Sequence, residues 1–98
     1  MSKNKFHIRS IYGNLARYYQ KKKAYKTALI YTDSILYYDK LLHQSFSGTR
    51  SYLIKSECYE AMNKPILALK NYKIYHQRTT EERISKENLV INELEYNF

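Results

Sequence analysis

ARYYQKKKAYKTALIY, residues 16–31, decides the fold, because it joins two apolar, tyrosine-rich segments through three consecutive lysines. Basic residues mixed with aromatic residues are typical of surfaces that bind nucleic acid. The same residues also fit a solvated turn between two packed helices. The rest of the sequence has to decide between these two interpretations.

The composition indicates a small helical domain. Of the 98 residues, 44% are hydrophobic and 27% charged, which is typical of a folded domain and not of a disordered segment. There are twelve tyrosines, two glycines and one proline, so we predict long helices whose packed faces use tyrosine. No apolar run has the length of a signal peptide or a membrane span, so we expect no membrane segment in this chain.

The net charge of +8 is distributed unevenly along the chain. Residues 1–26 contain eight basic residues and no acidic residue, whereas residues 81–98 contain two basic and five acidic residues. This asymmetry has two interpretations: a polyanionic partner, or a longer protein whose other parts balance the charge.

The sequence matches itself when it is shifted by forty residues. Identical residues coincide at the pairs Tyr12 and Tyr52, Tyr19 and Tyr59, Ala28 and Ala68, and Leu29 and Leu69. A small residue, Ala16 or Ser56, occupies the same position in both copies. Since the matches recur at helical spacing, each copy is predicted to form two amphipathic helices joined by a short turn.

Turn residues support these boundaries. In the second copy, Asn63 is predicted to be a helix N-cap and Pro65 to lie in the first helical turn. The three lysines, residues 21–23, align with that turn in the first copy. The segment Gln44–Ser51 is rich in turn-forming residues and separates the copies.

A fifth helix is predicted after the second copy. Thr79 and Glu82 have the spacing of a capping box, which opens a helix. The predicted helices are 8–20, 24–42, 50–62, 64–78 and 80–96.

This pattern resembles the tetratricopeptide repeat. The matching residues are Tyr12, Leu15, Ala16, Tyr19 and Ala28 in the first copy and Tyr52, Ser56, Tyr59, Ala68 and Tyr72 in the second. The likeness covers residues 8–80, with repeats at about 8–43 and 48–79 and a period longer than the usual ~34 residues. It implies an all-α fold of antiparallel helix hairpins, stacked as a right-handed superhelix of about five helices. Residues 1–98 would form a single domain.

The C-terminal segment extends the resemblance. Ile84, Ile91 and Phe98 are spaced by seven with Leu94 between them, which indicates a sparse heptad seam. Repeats followed by such a helix look like the sensory region of bacterial two-component and regulatory proteins. Because two repeats are few for such a stack, we expect the chain to be a fragment of a longer protein. Its compartment stays open: cytoplasmic, or periplasmic if the full protein has a signal and a membrane span.

Residues with catalytic or metal-binding chemistry are not arranged for it. His7, His43 and His76 lack the spacing of a zinc site. Cys58 follows Glu57, whose negative charge disfavours a thiolate, so we predict a packed structural cysteine. We therefore predict no catalytic residue, no metal site, no cofactor and no enzymatic activity.

The resemblance also implies a groove. In tetratricopeptide proteins the first helices of successive repeats line a concave surface that holds a peptide or a partner helix. The candidate groove residues here are Asn14, Arg17 and Lys21 from the first copy and Arg50, Ile54 and Glu57 from the second. Such a mainly basic surface suits an acidic or carboxylate-bearing peptide; the alternative is an ordinary solvated helix face.

The tyrosines do not require a nucleic-acid function. Bases could stack on them, but packing positions of the repeat account for Tyr12, Tyr19, Tyr52, Tyr59 and Tyr72. The less constrained ones, which are expected to be exposed, are Tyr18, Tyr37, Tyr38 and Tyr96.

The expected function is a protein–protein interaction scaffold or sensory module, with self-association through uncapped end helices as a further expectation. The alternative is a basic helical domain that binds nucleic acid directly, with an affinity that falls steeply as salt rises. We expect no direct nucleic-acid binding, because the lysine run aligns with a turn.

Overall fold

In a computed structural model, which describes residues 2–41 and 48–96 and the side chains of 11–41 and 48–95, the protein is all-α, as predicted. The helices are α1 Ser2–Lys21, α2 Tyr25–Leu41, α3 Thr49–Ala61 and α4 Pro65–Tyr96. α1 pairs with α2 to form the first hairpin, and α3 pairs with α4 to form the second. α3 also contacts both helices of the first hairpin, so it is the central helix.

The prediction of a fifth helix is wrong. The described part of the chain contains four helices, and α4 continues without a break through the boundary predicted near residue 79. The hydroxyl of Thr79 donates to the carbonyl of Tyr75 at 2.8 Å, and that of Thr80 donates to His76 at 2.9 Å. Both threonines therefore bond to the preceding turn of their own helix, and Thr79 does not cap a new one.

The turn between α1 and α2 is a Schellman motif. Lys23 has a left-handed backbone, with φ 63°. Its N–H donates to the carbonyl of Gln20 at 3.0 Å, and the N–H of Ala24 donates to Tyr19 at 2.9 Å. These bonds satisfy carbonyls at the end of α1, so this lysine terminates the helix.

The turn between α3 and α4 repeats this geometry forty residues later. Asn63 has φ 60°, and its N–H donates to the carbonyl of Glu60 at 3.0 Å. The N–H of Lys64 donates to Tyr59 at 2.8 Å. The predicted N-cap role of Asn63 is therefore wrong, because this residue ends α3 instead of beginning α4. Pro65 is the first residue of α4, as predicted.

Small residues form the centre of the core. Ala16 and Ala28 are fully buried in the first hairpin and contact Ile54 and Cys58 of α3. Larger side chains pack at the edge of this cluster: Tyr19, Tyr25, Leu29 and Tyr31. The two alanines let the helices approach closely, so α3 can insert against both of them.

Tyrosine rings join the helices of the first hairpin. Tyr12 of α1 lies 5.6 Å from Tyr31 and 6.1 Å from Tyr38, both on α2, measured between ring centroids. Tyr19 stacks on Tyr31 at 5.6 Å with an interplanar angle of 8°. The packing predicted for Tyr12 and Tyr19 is confirmed, and Tyr38 belongs to the same ring cluster.

The second hairpin uses different contacts. The Ser56 hydroxyl donates to the carbonyl of Ala68 at 2.8 Å, in a buried contact between α3 and α4. The guanidinium of Arg78 lies 5.2 Å from the ring centroid of Tyr52. Tyr72 is 50% exposed, so its predicted packing role is wrong; its ring lies 6.2 Å from that of Tyr75 on the same helix, measured between ring centroids.

Two ion pairs connect the second hairpin to α2. Lys55 of α3 lies 2.9 Å from Asp33 of α2, and Arg78 of α4 lies 3.5 Å from Asp39 of α2. Asp39 is only 6% exposed, so its pair with Arg78 is more shielded from solvent than an ordinary surface pair. These pairs fix the second hairpin against the side of α2.

Candidate partner-binding surface

α1 and α3, the first helices of the two hairpins, lie side by side at the level of Arg17 and Glu57. Arg17 Nη1 donates to Glu57 Oε1 at 3.2 Å and to Gln20 Oε1 at 3.1 Å. Gln20 Nε2 donates to the same Glu57 oxygen at 3.0 Å. Arg17 and Glu57 are forty residues apart, so equivalent positions of the two copies meet on this surface.

This cluster changes the expected charge of the surface. The side chains of Arg17 and Glu57 are 38% and 43% exposed, and their opposite charges balance each other. A half-exposed pair of this kind contributes roughly 1 kcal/mol or less to stability. Its main effect is to leave the middle of the surface nearly neutral, where the sequence predicted a mainly basic one.

Two cations of the candidate groove have no ion-pair partner among the described side chains, and they lie toward its two ends. Lys21 is exposed at the end of α1, and Arg50 is exposed in the first turn of α3. Taking α1 and α3 as parallel, with Arg17 level with Glu57, their positions differ by about 16 Å along the helix axes. The structure therefore separates these two predicted groove residues while it brings Arg17 and Glu57 together.

Ile54 is not part of an accessible surface. It is 2% exposed and belongs to the buried cluster with Ala16 and Ala28, so its assignment to the groove is wrong. The physical reason is that the side of α3 carrying Ile54 packs on the first hairpin. Asn14, its equivalent forty residues earlier, is exposed on α1.

Cys58 is a buried neutral thiol. Its side chain is fully buried. Burial, and secondarily the negative charge of Glu57, raises the pKa of the Cys58 thiol from 9.0 to about 11, while Arg17 acts in the opposite direction. A thiol with this pKa is a poor nucleophile at neutral pH. The prediction of a packed structural cysteine is confirmed.

The described side chains were also compared with the requirements of a metal site, a ligand pocket and a membrane-spanning helix. No group of three or more His, Cys, Asp and Glu residues in that part of the chain could hold a metal ion. A shallow depression of about 430 Å³ on the outer side of the first hairpin is lined by Tyr12, Ile30, Asp33, Ser34, Tyr37 and Tyr38. The carboxylate there, Asp33, is paired with Lys55. None of the described helices is both long enough and apolar enough to cross a membrane.

Sequence reasoning missed Gln20 as a member of the surface cluster. The signal for the Arg17–Glu57 pair was present, since the forty-residue shift aligns opposite charges there. Gln20 lies three residues after Arg17, on the same side of α1, and it accepts from Arg17 while donating to Glu57. The predictions for His7, His43, Tyr96, Phe98 and the loop around residues 44–47 fall outside the described side chains.

Comparison with models of protein families, with curated proteins and with solved structures found no significant match.

Proposed function

We propose that this chain is a helical-repeat module of the tetratricopeptide type that binds a protein or peptide partner. In this proposal the two hairpins are consecutive units of a right-handed superhelix, and α1 and α3 line its concave side. Binding, without catalysis, is the activity. Such a module would belong to a bacterial sensor or regulator, as the resemblance of the sequence implies.

The pairing of Arg17 with Glu57 is the single observation that supports this proposal most strongly. It brings equivalent positions of the two first helices together on one surface. Buried small residues and a left-handed turn residue at equivalent positions of both hairpins support the same proposal. A surface built from equivalent helix faces is the feature that repeat proteins use to hold an extended or helical ligand.

The charges on this surface indicate a partner that is acidic at two points. Lys21 and Arg50 are exposed at its ends, and the region between them is close to neutral. A peptide carrying a carboxylate group near each end, separated by about 16 Å, would place both carboxylates near cations. Arg17 and Gln20 remain available to donate to a peptide carbonyl if Glu57 turns away.

The test is fluorescence anisotropy with labelled peptides that carry paired carboxylates at graded separations. We expect binding that is strongest near the matching separation. The double variant Lys21→Glu with Arg50→Glu should weaken it by roughly tenfold or more, since two attractive contacts become repulsive. The matched control is Lys70→Glu with Lys73→Glu, which makes the same charge change at exposed positions of α4.

Duplex DNA in the same assay tests the alternative, a nucleic-acid-binding domain. Direct binding would give a signal for any duplex sequence that falls steeply as salt rises. Binding of DNA at physiological salt, with no dependence of peptide binding on Lys21 and Arg50, would replace the peptide proposal by the nucleic-acid one.

A further inference from the structure

The last part of α4 is exposed to solvent. α3 has 13 residues and α4 has 32, so α4 extends well past its partner. Near the middle of α4, Arg78 contacts Asp39 of α2 and Tyr52 of α3. We call residues 81–96 the C-terminal arm, in which every residue from 83 to 95 is exposed.

One side of the C-terminal arm is apolar. Ile84 and Ile91 lie within about 20° of each other around the helix, and Val90 and Leu94 extend the stripe to about 120°. All four side chains are about half exposed. Leu89, also exposed, lies on the opposite side of the helix. An exposed stripe of this size marks an interaction surface.

The arm is also acidic. It contains two basic and five acidic residues, a net charge of −3, in a chain whose total charge is +8. Glu87 lies within the apolar stripe and pairs with Arg83 at 3.0 Å. If two arms formed a coiled coil with each other, both Glu87 carboxylates would be buried in the seam and two negative helices would be brought together. The charges therefore disfavour arm–arm pairing and favour a basic surface.

A basic apolar surface of matching kind lies on α1. On α3, the side formed by Ser51, Ile54 and Cys58 is buried. The equivalent residues of α1, forty positions earlier, are Ile11, Asn14 and Tyr18, which we call the α1 end face.

The α1 end face is exposed and flanked by cations. Ile11 and Tyr18 are 54% and 53% exposed. The Lys22 ammonium lies 5.6 Å from the centroid of the Tyr18 ring, at the edge of this face. Residues 11–26 contain five basic residues and no acidic one. The same side of a repeat that is covered in the second hairpin is thus open and basic in the first.

We propose that two copies of this chain form a dimer in which the C-terminal arm of each copy packs on the α1 end face of the other. The apolar stripe of the arm covers Ile11 and Tyr18, and Glu87 approaches Lys22. This inference goes beyond peptide binding, and its contact residues Ile11, Tyr18 and Lys22 are not groove residues.

Interface size favours reciprocal exchange over the docking of a single arm. A helix of 16 residues is about 24 Å long and 10 Å wide, so one docked arm buries about 500 Å² on both partners together. Two arms bury about 1,000 Å², which is where specific interfaces begin. Reciprocal exchange also closes the assembly at two copies, because the same two surfaces meet twice around a two-fold axis.

Analytical ultracentrifugation of the full chain tests the proposal. The wild-type protein should be a dimer that dissociates more readily as salt rises, because opposite charges contribute to the interface. The double variant Ile91→Gln with Leu94→Gln should raise the dimer dissociation constant by roughly a hundredfold. Leu89→Gln is the matched control on the opposite side of the arm and should leave the dimer unchanged. These side chains are exposed, so the variants should fold, as circular dichroism will show.

Charge reversal identifies the surface that the arm meets. Lys22→Glu and Glu87→Lys should each weaken the dimer, and their combination should restore it in part. Lys22 is not a groove residue, so failure of this test leaves the peptide proposal untouched, and failure of peptide binding leaves the dimer untouched.

Cross-linking separates the two arrangements of the arm. A mixture of Tyr18→Cys and Ile91→Cys chains should oxidise to a disulfide between unlike chains. A monomeric wild-type chain, an equal loss of the dimer with Leu89→Gln, or a disulfide only between two Ile91→Cys chains would overturn the proposal.

Discussion

The two hairpins share the same turn geometry and bury small residues at equivalent positions, but different side chains make the contacts between their helices. Each begins with a helix that ends in a left-handed residue, Lys23 or Asn63, and each places small residues where its helices cross. The first hairpin fills the remaining space with tyrosine rings, whereas the second uses the Ser56 hydroxyl and the Arg78 guanidinium. The repeat therefore specifies where small residues and turns lie, and leaves the chemistry between the helices free to vary.

Among equivalent positions, alanine substitution should have the most different effects on the free energy of unfolding at Ile54 and Asn14. Ile54→Ala should lower the free energy of unfolding by about 3 kcal/mol, because it leaves a cavity between α3 and the first hairpin. Asn14→Ala should change it by less than about 0.5 kcal/mol, because that side chain is exposed. Urea denaturation measures both. Similar small values for the two variants would contradict the central position of α3.

Positions 18 and 58 also differ in burial, since Tyr18 is exposed and Cys58 is buried. The reactivity of a thiol at each position measures this difference. In the variant Tyr18→Cys, the introduced thiol is expected to be exposed, while Cys58 stays buried with its pKa raised to about 11. At pH 8 the thiolate fraction of Cys58 is then about 100-fold lower, so it should react with iodoacetamide at least that much more slowly. Its rate should keep rising up to about pH 11, whereas that of the introduced thiol should level off near its lower pKa. Mass spectrometry of the two peptides reports both rates from one sample.

The two glycines should respond to alanine with opposite signs. A Cβ at Gly48 would lie 2.9 Å from Leu36 Cδ2 and 3.1 Å from Asp39 Oδ2, so Gly48→Ala should destabilise the protein by about 1–3 kcal/mol. A Cβ at Gly13 would meet no atom within 4 Å, so Gly13→Ala should stabilise α1 by about 0.5–1 kcal/mol. Thermal unfolding of both variants tests this. A gain at Gly48 would show that the approach of the second hairpin to α2 can relax without cost.

The Ser56 hydroxyl of the second hairpin should contribute about 1 kcal/mol to the free energy of unfolding. Ser56→Ala removes the buried hydrogen bond to the Ala68 carbonyl and leaves the methylene in place. The control is Ser34→Ala, which removes an exposed bond to the Ile30 carbonyl and should have almost no effect. If the two variants lose equal stability, the contact between α3 and α4 does not depend on this hydroxyl.

The smallest expected difference in stability is that between glycine substitutions in the two turns. Lys23→Gly should raise the free energy of unfolding by about 0.5–1 kcal/mol, because lysine carries a steric cost in the left-handed region that glycine does not. Asn63→Gly should be close to neutral, since asparagine tolerates this conformation better. Chemical denaturation of the two variants measures both changes. A loss of stability at position 23 would mean that the Lys23 side chain makes a favourable contact.

Local sequence signals predicted much of the fold. The forty-residue shift placed both hairpins and the pairs Ala16 with Ser56 and Ala28 with Ala68, all of which are buried. The same shift placed the turns, because the same backbone geometry recurs at residues 23 and 63.

The predictions that are wrong relied on a local sequence pattern, whereas hydrogen bonds or neighbouring helices decide the structure at those residues. The Thr79–Glu82 pattern fits a capping box, but the helix continues because each threonine hydroxyl is satisfied by the carbonyl four residues earlier. Ile54 and Tyr72 were assigned by position in the repeat. Their burial depends on which neighbouring helix covers them, and the period of the pattern carries no information about that.

The length of α4 gives the molecule a lever. The C-terminal arm extends to about 27 Å beyond Arg78, which pairs with Asp39 of the first hairpin. A rotation of the second hairpin by about 10° would move the end of this rigid helix by about 5 Å. A ligand that changes the angle between the hairpins, for example by separating Arg17 from Glu57, would therefore move the end of the C-terminal arm farther than it moves the side chains that it contacts.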